Sequence, residues 1–292
     1  MISLIKGPHN LKVCGPILTC IAFPLDYLDR QINPLEIPKK VTLTGLVDTG
    51  AAISCIDSAV IKKLGVSCHD EYKLTILDKV STFQAYDIGI TIPDINHNNK
   101  VHLEVIATDM ENKLHDFIIG RDLLTLSTLV HDGYHGNFHF LLDIDPHPLS
   151  TTTTPHIGIH MEEPIIEIDI FNILDTFDSV VPDSIKNKIS LKGIVDTGAQ
   201  VSIINKNKLV ELEQESRNEL KVITLKKSES YESFDIGICL PNIDPNSIYQ
   251  LEVVGIGFKS SNYDFVIGRD ILRFGTFIYD GLARRYHFTL SV

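Results

Sequence analysis

The stretch that decides the fold is Val-Asp-Thr-Gly-Ala, which occupies residues 47–51 and occurs again at residues 195–199. The two copies lie 148 residues apart (195 minus 47). The same offset relates Ile-Gly-Arg-Asp at 119–122 to Ile-Gly-Arg-Asp at 267–270. Repeated motifs at one constant offset indicate an internal duplication, and two copies indicate two similar lobes rather than a solenoid, which needs at least three units.

The duplication divides the chain into four predicted segments. Residues 43–140 align with residues 191–288 without a gap, and weaker similarity extends back to Ile17 and Ile165. A Pro- and Thr-rich stretch between the copies is typical of an extended linker. The predicted segments are an N-terminal extension at 1–16, an N-terminal lobe at 17–144, a linker at 145–164 and a C-terminal lobe at 165–292.

Within each copy, the local pattern favours strands. Short β-branched and apolar runs bounded by turn residues are typical of strands. In the first copy they lie at 41–47, 86–92, 101–107 and 117–119. A turn-rich stretch at 93–99 separates two of these strands. Helices are few and short: one is expected to begin at Asp57 or Ser58 and to end at Gly65, and Asn205 begins its counterpart. Another short helix is expected after Asp122 and after Asp270, each of which is placed to cap it. The predicted class is therefore mainly β, in two closed lobes with few short helices.

Composition excludes several classes of protein. The chain has 26 Lys and Arg against 38 Asp and Glu, a formal net charge of −12, which argues against a nucleic-acid partner. No apolar run approaches the roughly 20 residues that span a bilayer, and the first residues do not resemble a signal peptide, so no membrane association is expected. The five cysteines are scattered without a paired spacing. A reduced, intracellular and cytoplasmic protein is the expectation.

The repeated Asp-Thr-Gly suggests chemistry. One copy alone is typical of a polar turn at the end of a strand. Here the context is repeated too, since Ser54 and Ser202 each follow the Asp by six residues. Two facing lobes would bring Asp48 and Asp196 together, and carboxylates about 3 Å apart share one proton. One can then act as a base toward a water and the other as an acid toward a carbonyl. Such amide hydrolysis needs no metal and no cofactor.

The two Val-Asp-Thr-Gly-Ala motifs resemble those of the retropepsin-type aspartic proteases. So does the Ile-Ile-Gly-Arg-Asp-Leu-Leu that follows the first of these motifs at a distance. The resemblance covers nearly everything from Ile17 onward. It implies the acid-protease fold, with both lobes in one chain and a pseudo-twofold axis between them. It further implies a polypeptide substrate and a monomer whose two lobes form one site.

The resemblance also assigns roles to individual residues. Asp48 and Asp196 would be the catalytic dyad, and Thr49 and Thr197 would interlock the two turns. Gly50 and Gly198 would contact the substrate backbone. The same turns end in Ala51 and Ala199, and the structural motif of each lobe comprises Gly120, Arg121 and Asp122, and Gly268, Arg269 and Asp270.

The sequence departs from the retroviral pattern in two places. The expected flaps, at 77–84 and 225–232, contain no Gly, although retroviral flap tips are Gly-rich. Their Phe83 and Tyr231 either cover the site or are strand aromatics on a half-buried face. The acidic partner that Arg121 and Arg269 have in retroviral relatives is replaced here by Ala52 and Gln200, so the sequence leaves the partner of each arginine open.

Weaker patterns receive a structural interpretation. The spacing of His131, His135 and His139 would suit metal ligands on a helix, but the intervening Gly133 and Gly136 favour a hairpin with surface histidines. Cys55 is interpreted as a small buried apolar residue.

The function predicted from the sequence is an aspartic endopeptidase. Two alternatives stay open at this point. The first is an inactive protease fold that binds peptides or partners, against which both intact Asp-Thr-Gly-Ala motifs argue. The second is the same enzyme assembled between lobes of different chains.

Overall fold

The computed structural model describes residues 11–76, 79–96, 99–110, 114–142, 163–176, 182, 185, 187–223, 228–258 and 262–291. The elements of the N-terminal half are α1 (Leu11–Cys14), β1 (Ile17–Pro24), β2 (Val41–Val47), β3 (Cys55–Asp57), α2 (Ser58–Leu64), β4 (Asp70–Ile76), β5 (Lys79–Thr91), α3 (Pro93–Asn96), β6 (Val101–Thr108), β7 (Phe117–Ile119), α4 (Arg121–Leu124), β8 (Ser127–Asp132) and β9 (Asn137–Leu142). Those of the C-terminal half are β10 (Ile165–Asn172), β11 (Lys188–Val195), β12 (Ile203–Asn205), α5 (Lys206–Glu211), β13 (Asn218–Ile223), β14 (Ser228–Leu240), β15 (Asp244–Ile256), β16 (Phe265–Ile267), α6 (Arg269–Leu272), β17 (Gly275–Asp280) and β18 (Arg285–Leu290).

Each lobe is a closed barrel of six strands with a seventh strand attached. In the N-terminal lobe the strand order is β1-β2-β7-β3-β6-β5, and an additional pairing of β1 with β5 closes the ring. Strand β4 forms a hairpin with β5 at the end of this order. The C-terminal lobe repeats the order as β10-β11-β16-β12-β15-β14, closed by β10 with β14 and extended by β13. The predicted mainly β fold with two closed lobes is confirmed.

A four-stranded sheet joins the two lobes, in the order β18-β17-β8-β9. Its central strands β8 and β17 are antiparallel, and Val130 lies opposite Ile278. These two residues are equivalent under the duplication (130 plus 148), so the pseudo-twofold axis passes between them. Each strand of the sheet therefore has a symmetry mate, and the lobes share backbone hydrogen bonds within one chain.

A glycine follows each central strand because the backbone there lies very close to the other lobe. The backbone N of Gly133 donates to the carbonyl of Gly275 at 3.0 Å, and Gly281 N donates to Ser127 O at 2.9 Å. A Cβ on Gly133 would lie 2.1 Å from the carbonyl oxygen of Leu272. Only a residue without a side chain can approach the other lobe so closely.

One continuous apolar core runs through both barrels and the shared sheet. Fully buried residues stand where β2 and β11 end and where β7 and β16 begin, namely Val47, Val195, Phe117 and Phe265. All three residues of β7 are buried, so this strand is covered on both faces, which explains its continuous β-branched and aromatic character. The core holds the strand ends that carry both Asp-Thr-Gly turns.

Several local predictions are correct, and two need revision. Helix α2 begins after Asp57, whose Oδ1 accepts a hydrogen bond from Ala59 N at 2.7 Å, and ends at Gly65 with φ 66°. The short helix α4 was expected to be capped by Asp122, but it begins one residue earlier, at Arg121. The Asp122 carboxylate contacts Ser54 as well as its own helix, which is why it lies inside the first turn. The turn predicted at 93–99 contains the short helix α3.

Two further expectations concern chain organisation and membranes. Most of the predicted linker at 145–164 lies outside the described residues. Among the described residues, no helix is long and apolar enough to cross a membrane.

Candidate active site

Both Asp-Thr-Gly turns begin where a buried strand ends. Strands β2 and β7 run parallel, and the backbone N of Asp48 donates to the carbonyl of Ile119 at 2.9 Å. In the C-terminal lobe, Asp196 N donates to Ile267 O at 3.0 Å. The parallel partner thus fixes the position at which each aspartate leaves the sheet.

The two turns are joined by hydrogen bonds between their threonines. The Thr49 hydroxyl donates to Val195 O at 2.7 Å and accepts from Thr197 N at 3.2 Å. The Thr197 hydroxyl donates to Val47 O at 2.8 Å and accepts from Thr49 N at 3.2 Å. Both threonines are fully buried, so these four bonds hold the lobes together without competition from water.

The aspartate side chains are fixed by their own turns and face each other. Asp48 Oδ1 accepts hydrogen bonds from Gly50 N at 2.9 Å and Ala51 N at 3.0 Å. A Cβ on Gly50 would lie 2.6 Å from the carboxyl carbon of Asp196, and a Cβ on Gly198 would lie equally close to that of Asp48. Because neither glycine has a side chain, each carboxyl can lie against the turn of the opposite lobe.

The electrostatic environment of this pair favours a retained proton. Burial, the charge of Asp196 and a hydrogen bond between the two carboxyls raise the pKa of Asp48 well above its usual range. The backbone N–H groups of Gly50 and Ala51 oppose this rise in pKa, because they stabilise the charged form. Two such carboxyls titrate as a coupled pair that holds one proton where isolated aspartates hold none.

One arginine side chain supports each turn, and the sequence alone leaves the contacts of these arginines open. Arg121 Nη1 donates to Thr49 O at 2.8 Å and to Gly50 O at 3.0 Å. In the same way, Arg269 Nη1 donates to the carbonyls of Thr197 at 2.9 Å and Gly198 at 2.8 Å. Backbone carbonyls of the turn thus take the place of the acidic partner that is missing at residues 52 and 200.

Each arginine also reaches the segment that leads into the other lobe. Arg269 Nη2 donates to Val13 O at 3.0 Å, just before β1. Arg121 Nη2 lies 3.7 Å from a carboxylate oxygen of Glu163, just before β10. The two guanidinium groups therefore connect each turn to the entry of the opposite barrel.

The repeated serines pair with the aspartates of the Gly-Arg-Asp motif. The Ser54 hydroxyl donates to Asp122 Oδ1 at 2.6 Å, and its oxygen accepts from Gly120 N at 3.0 Å. Burial raises the pKa of Asp122 to about 6, although its hydrogen bonds act in the opposite direction. The Ser202 hydroxyl makes the equivalent bond to Asp270 at 2.7 Å. The sequence repeats these residues at a constant spacing, but their contact was not predicted.

Phe83 and Tyr231 lie on the hairpins at which flaps were expected, whose tips at 77–78 and 224–227 are outside the described residues. Phe83 is buried in an apolar cluster that includes Leu46 and Ile118, with Ala51 packed against it. Tyr231 packs against the equivalent cluster of the C-terminal lobe. Both side chains thus pack in clusters separate from the main core, and their contact with a bound peptide stays a prediction.

One of the expectations for the histidines is wrong. The β8–β9 hairpin is present, but His131 is buried rather than at the surface, and its ring nitrogens have no hydrogen-bond partner among the described residues. All five cysteines, which lie within the described residues, are free thiols. Cys55 is buried, and burial raises the pKa of its thiol.

Comparisons with known proteins agree with this geometry. Residues 160–275 match the family model described as retroviral aspartyl protease. A crystal structure of the aspartic proteinase from Irpex lacteus superposes with a TM-score of 0.53 and 12% sequence identity, over 99% of this chain and 98% of that chain. A search of curated proteins finds no match.

The family match lies on the C-terminal lobe, and the structural match extends over both lobes. Residues 160–275 thus resemble the retroviral aspartyl proteases, and the chain as a whole has the fold of an aspartic proteinase.

Proposed function

We propose that the chain is an aspartic endopeptidase, in which a water activated by Asp48 and Asp196 hydrolyses peptide bonds. The observation that carries the proposal is the pair of carboxyls that face each other across the lobe boundary, joined by a hydrogen bond. A binding protein has no need of two carboxyls in forced proximity, because their mutual repulsion costs stability. The raised pKa of Asp48 supports a shared proton, which general acid–base catalysis requires.

The proposed mechanism uses one ionised and one protonated carboxyl. The ionised member takes a proton from the water as the water attacks the scissile carbonyl carbon. The protonated member donates its proton to the carbonyl oxygen, and a tetrahedral diol forms. Proton transfer to the amide nitrogen then allows the C–N bond to break. No covalent intermediate forms with the protein.

Gly50, Gly198 and their neighbours have a supporting role in this proposal. Their backbone lies at the floor between the lobes, where an extended polypeptide could hydrogen-bond to it. Arg121 and Arg269 hold the carbonyls of the two turns and so position the carboxyls indirectly. The substrate is proposed to be a polypeptide, and the active species a monomer.

The proposal is tested by incubating the purified protein with a diverse peptide mixture between pH 4 and pH 7, and by sequencing the products. New internal termini that pepstatin-type transition-state analogues suppress are the expected result. Peptides that are retained by the protein but never cut would favour the alternative, an inactive binding module.

A further inference from the structure

A mixed cluster of histidine and carboxylate side chains lies on the N-terminal barrel, apart from both Asp-Thr-Gly turns. Asp87 of β5 and Glu104 of β6 lie directly opposite each other in an antiparallel pair. His69 is held beside them, because its backbone N donates to Ala85 O at 3.1 Å. Its Nε2 lies 2.6 Å from Glu104 Oε2 and its Nδ1 lies 3.4 Å from Asp87 Oδ2. One potential ligand atom from each of the three residues lies within 4.8 Å of the others.

Two neighbouring side chains orient the carboxylates of this cluster. His102, two residues before Glu104 on β6, places its Nε2 2.7 Å from Asp87 Oδ1. The Tyr72 hydroxyl donates to Glu104 Oε1 at 3.2 Å. Each carboxylate therefore has one oxygen held by a neighbour and the other directed toward His69.

The duplication supplies an internal comparison. The C-terminal lobe has the same cross-strand carboxylate pair, Asp235 opposite Glu252. There Arg217 occupies the position of His69, and its backbone N donates to Ser233 O at 2.7 Å, in the same way that His69 contacts Ala85. Arg217 Nη1 donates to both oxygens of Asp235, at 2.9 and 3.1 Å. One lobe thus neutralises the pair with a permanent cation.

The N-terminal lobe lacks such a cation and has two imidazoles instead. Like charges directly opposite each other on neighbouring strands are destabilising, so the pair of Asp87 and Glu104 favours a bound positive charge. Gln250 stands where the N-terminal lobe has His102. At both positions the N-terminal lobe therefore has a histidine, which is a common metal ligand, in place of an arginine or a glutamine.

We propose that His69, Asp87 and Glu104 bind a divalent transition-metal ion of the zinc class, with His102 orienting Asp87. Imidazole nitrogen and carboxylate oxygen are both ligands of Zn²⁺, and three protein ligands leave a fourth position for water. Ligating carboxylates are themselves hydrogen-bonded in such sites, as Asp87 is to His102. The metal would connect the start of β4 to β5 and β6, at the base of the β4–β5 hairpin.

The sequence did not suggest this site, because its three ligands are separated by 18 and 17 residues (69, 87 and 104) and form no compact motif. Only the strand register brings them together. The site is independent of the proposed peptidase activity, and neither depends on the other.

The test is a titration of the metal-free full-length protein with Zn²⁺ by calorimetry and with Co²⁺ by visible absorption. We expect one saturable equivalent that raises the thermal unfolding midpoint. The double variant His69→Arg/His102→Gln rebuilds the arrangement that the C-terminal lobe already has, so it should fold. Its affinity for Zn²⁺ at this site should fall by at least about tenfold. His135→Gln, a histidine outside the cluster, is the matched control and should bind as the wild type does.

Two results would overturn the proposal. The first is the absence of saturable Zn²⁺ binding in the wild type. The second is equal affinity and equal thermal stabilisation in the wild type and the double variant, which would locate the metal elsewhere and leave His69 as an ion-pair partner only. Should the double variant not fold, Glu104→Gln is judged by the same two readouts.

Discussion

The hydroxyl oxygen of Thr49 accepts a hydrogen bond from the backbone N of Thr197 at 3.2 Å, and the hydroxyl of Thr197 accepts the reverse bond at the same distance. Each hydroxyl donates in turn to the last strand residue before the opposite aspartate. The contact that joins the lobes is thus also the contact that sets the two carboxyls face to face. Stability of the lobe interface and geometry of the carboxyl pair depend on the same four bonds.

Replacing Thr49 by Val should therefore destabilise the protein by roughly 2–6 kcal/mol, because one buried N–H and one buried C=O each lose a partner at about 1–3 kcal/mol. Urea unfolding measures this change in the free energy of unfolding. Thr49→Ser keeps the hydroxyl and should cost only about 1 kcal/mol for the lost methyl group. Equal losses in the Val and Ser variants would mean that the hydroxyl bonds do not stabilise the interface.

Introducing a hydroxyl beside each aspartate should move the pH profile of cleavage toward acid. Ala51 N and Ala199 N lie 3.0 and 2.9 Å from the carboxylate oxygens of their own turns, so a side chain at either position begins next to a carboxylate. A serine hydroxyl donates to the charged form and lowers the pKa of the pair. We expect the wild type to work at mildly acidic to near-neutral pH and Ala51→Ser/Ala199→Ser to work at lower pH. A profile that stays in place or moves toward alkaline pH would contradict this.

The buried His131 should make the protein less stable in mild acid. Burial and the nearby Arg269 lower the pKa of His131 to about 4, with Asp132 opposing them, whereas the unfolded chain keeps a pKa near 6.5. Between those values the unfolded state binds more protons, so stability falls as the pH drops from about 6.5 to about 4. The loss is roughly 3 kcal/mol, at about 1.4 kcal/mol for each pH unit between the two pKa values.

His131→Leu removes this titration, and its unfolding free energy should vary less over the same pH range. The measurement is urea unfolding of both proteins at pH 7, pH 5.5 and pH 4. Parallel curves for wild type and variant would show that another group causes the acid sensitivity.

Specific activity should not depend on protein concentration. The shared sheet pairs β8 and β17 of one chain, so dilution does not separate the two carboxyls. An enzyme assembled from two chains would instead lose activity as it dissociates. Assays from micromolar to nanomolar protein, together with sedimentation, distinguish the two: falling specific activity that tracks a falling mass would favour assembly between chains.

The sequence predicted most of the fold because each strand has a strong local pattern and appears twice. The strands at 41–47 and 117–119 have the predicted bounds. Contacts that depend on which strands pair, and in which register, could not be predicted from these local patterns. The burial of His131 depends on the opposite lobe, which covers a face that the sequence of β8 alone suggests is half exposed.

In the candidate site too, some residues were visible in the sequence and some contacts were not. The two Asp-Thr-Gly turns were visible from their repetition, and Ser54 and Asp122 from their constant spacing. The partners of Arg121 are carbonyl oxygens, which every residue possesses, so no residue type in the sequence could reveal them. The cluster around His69 was missed because its members meet only through the pairing of β5 with β6.

The role of the carboxyl pair is tested most directly by the rate of peptide cleavage in Asp48→Asn and Asp196→Asn. An asparagine oxygen at residue 48 can still accept the bonds from Gly50 N and Ala51 N, and one at residue 196 those from Gly198 N and Ala199 N. Each variant should therefore fold as the wild type does, but an amide cannot share the proton. We predict that kcat/KM falls by at least roughly 10²- to 10⁴-fold in both variants, whereas Asp26→Asn, at an exposed aspartate, leaves it unchanged. Cleavage near the wild-type rate in either of the two variants would contradict the two-carboxyl mechanism.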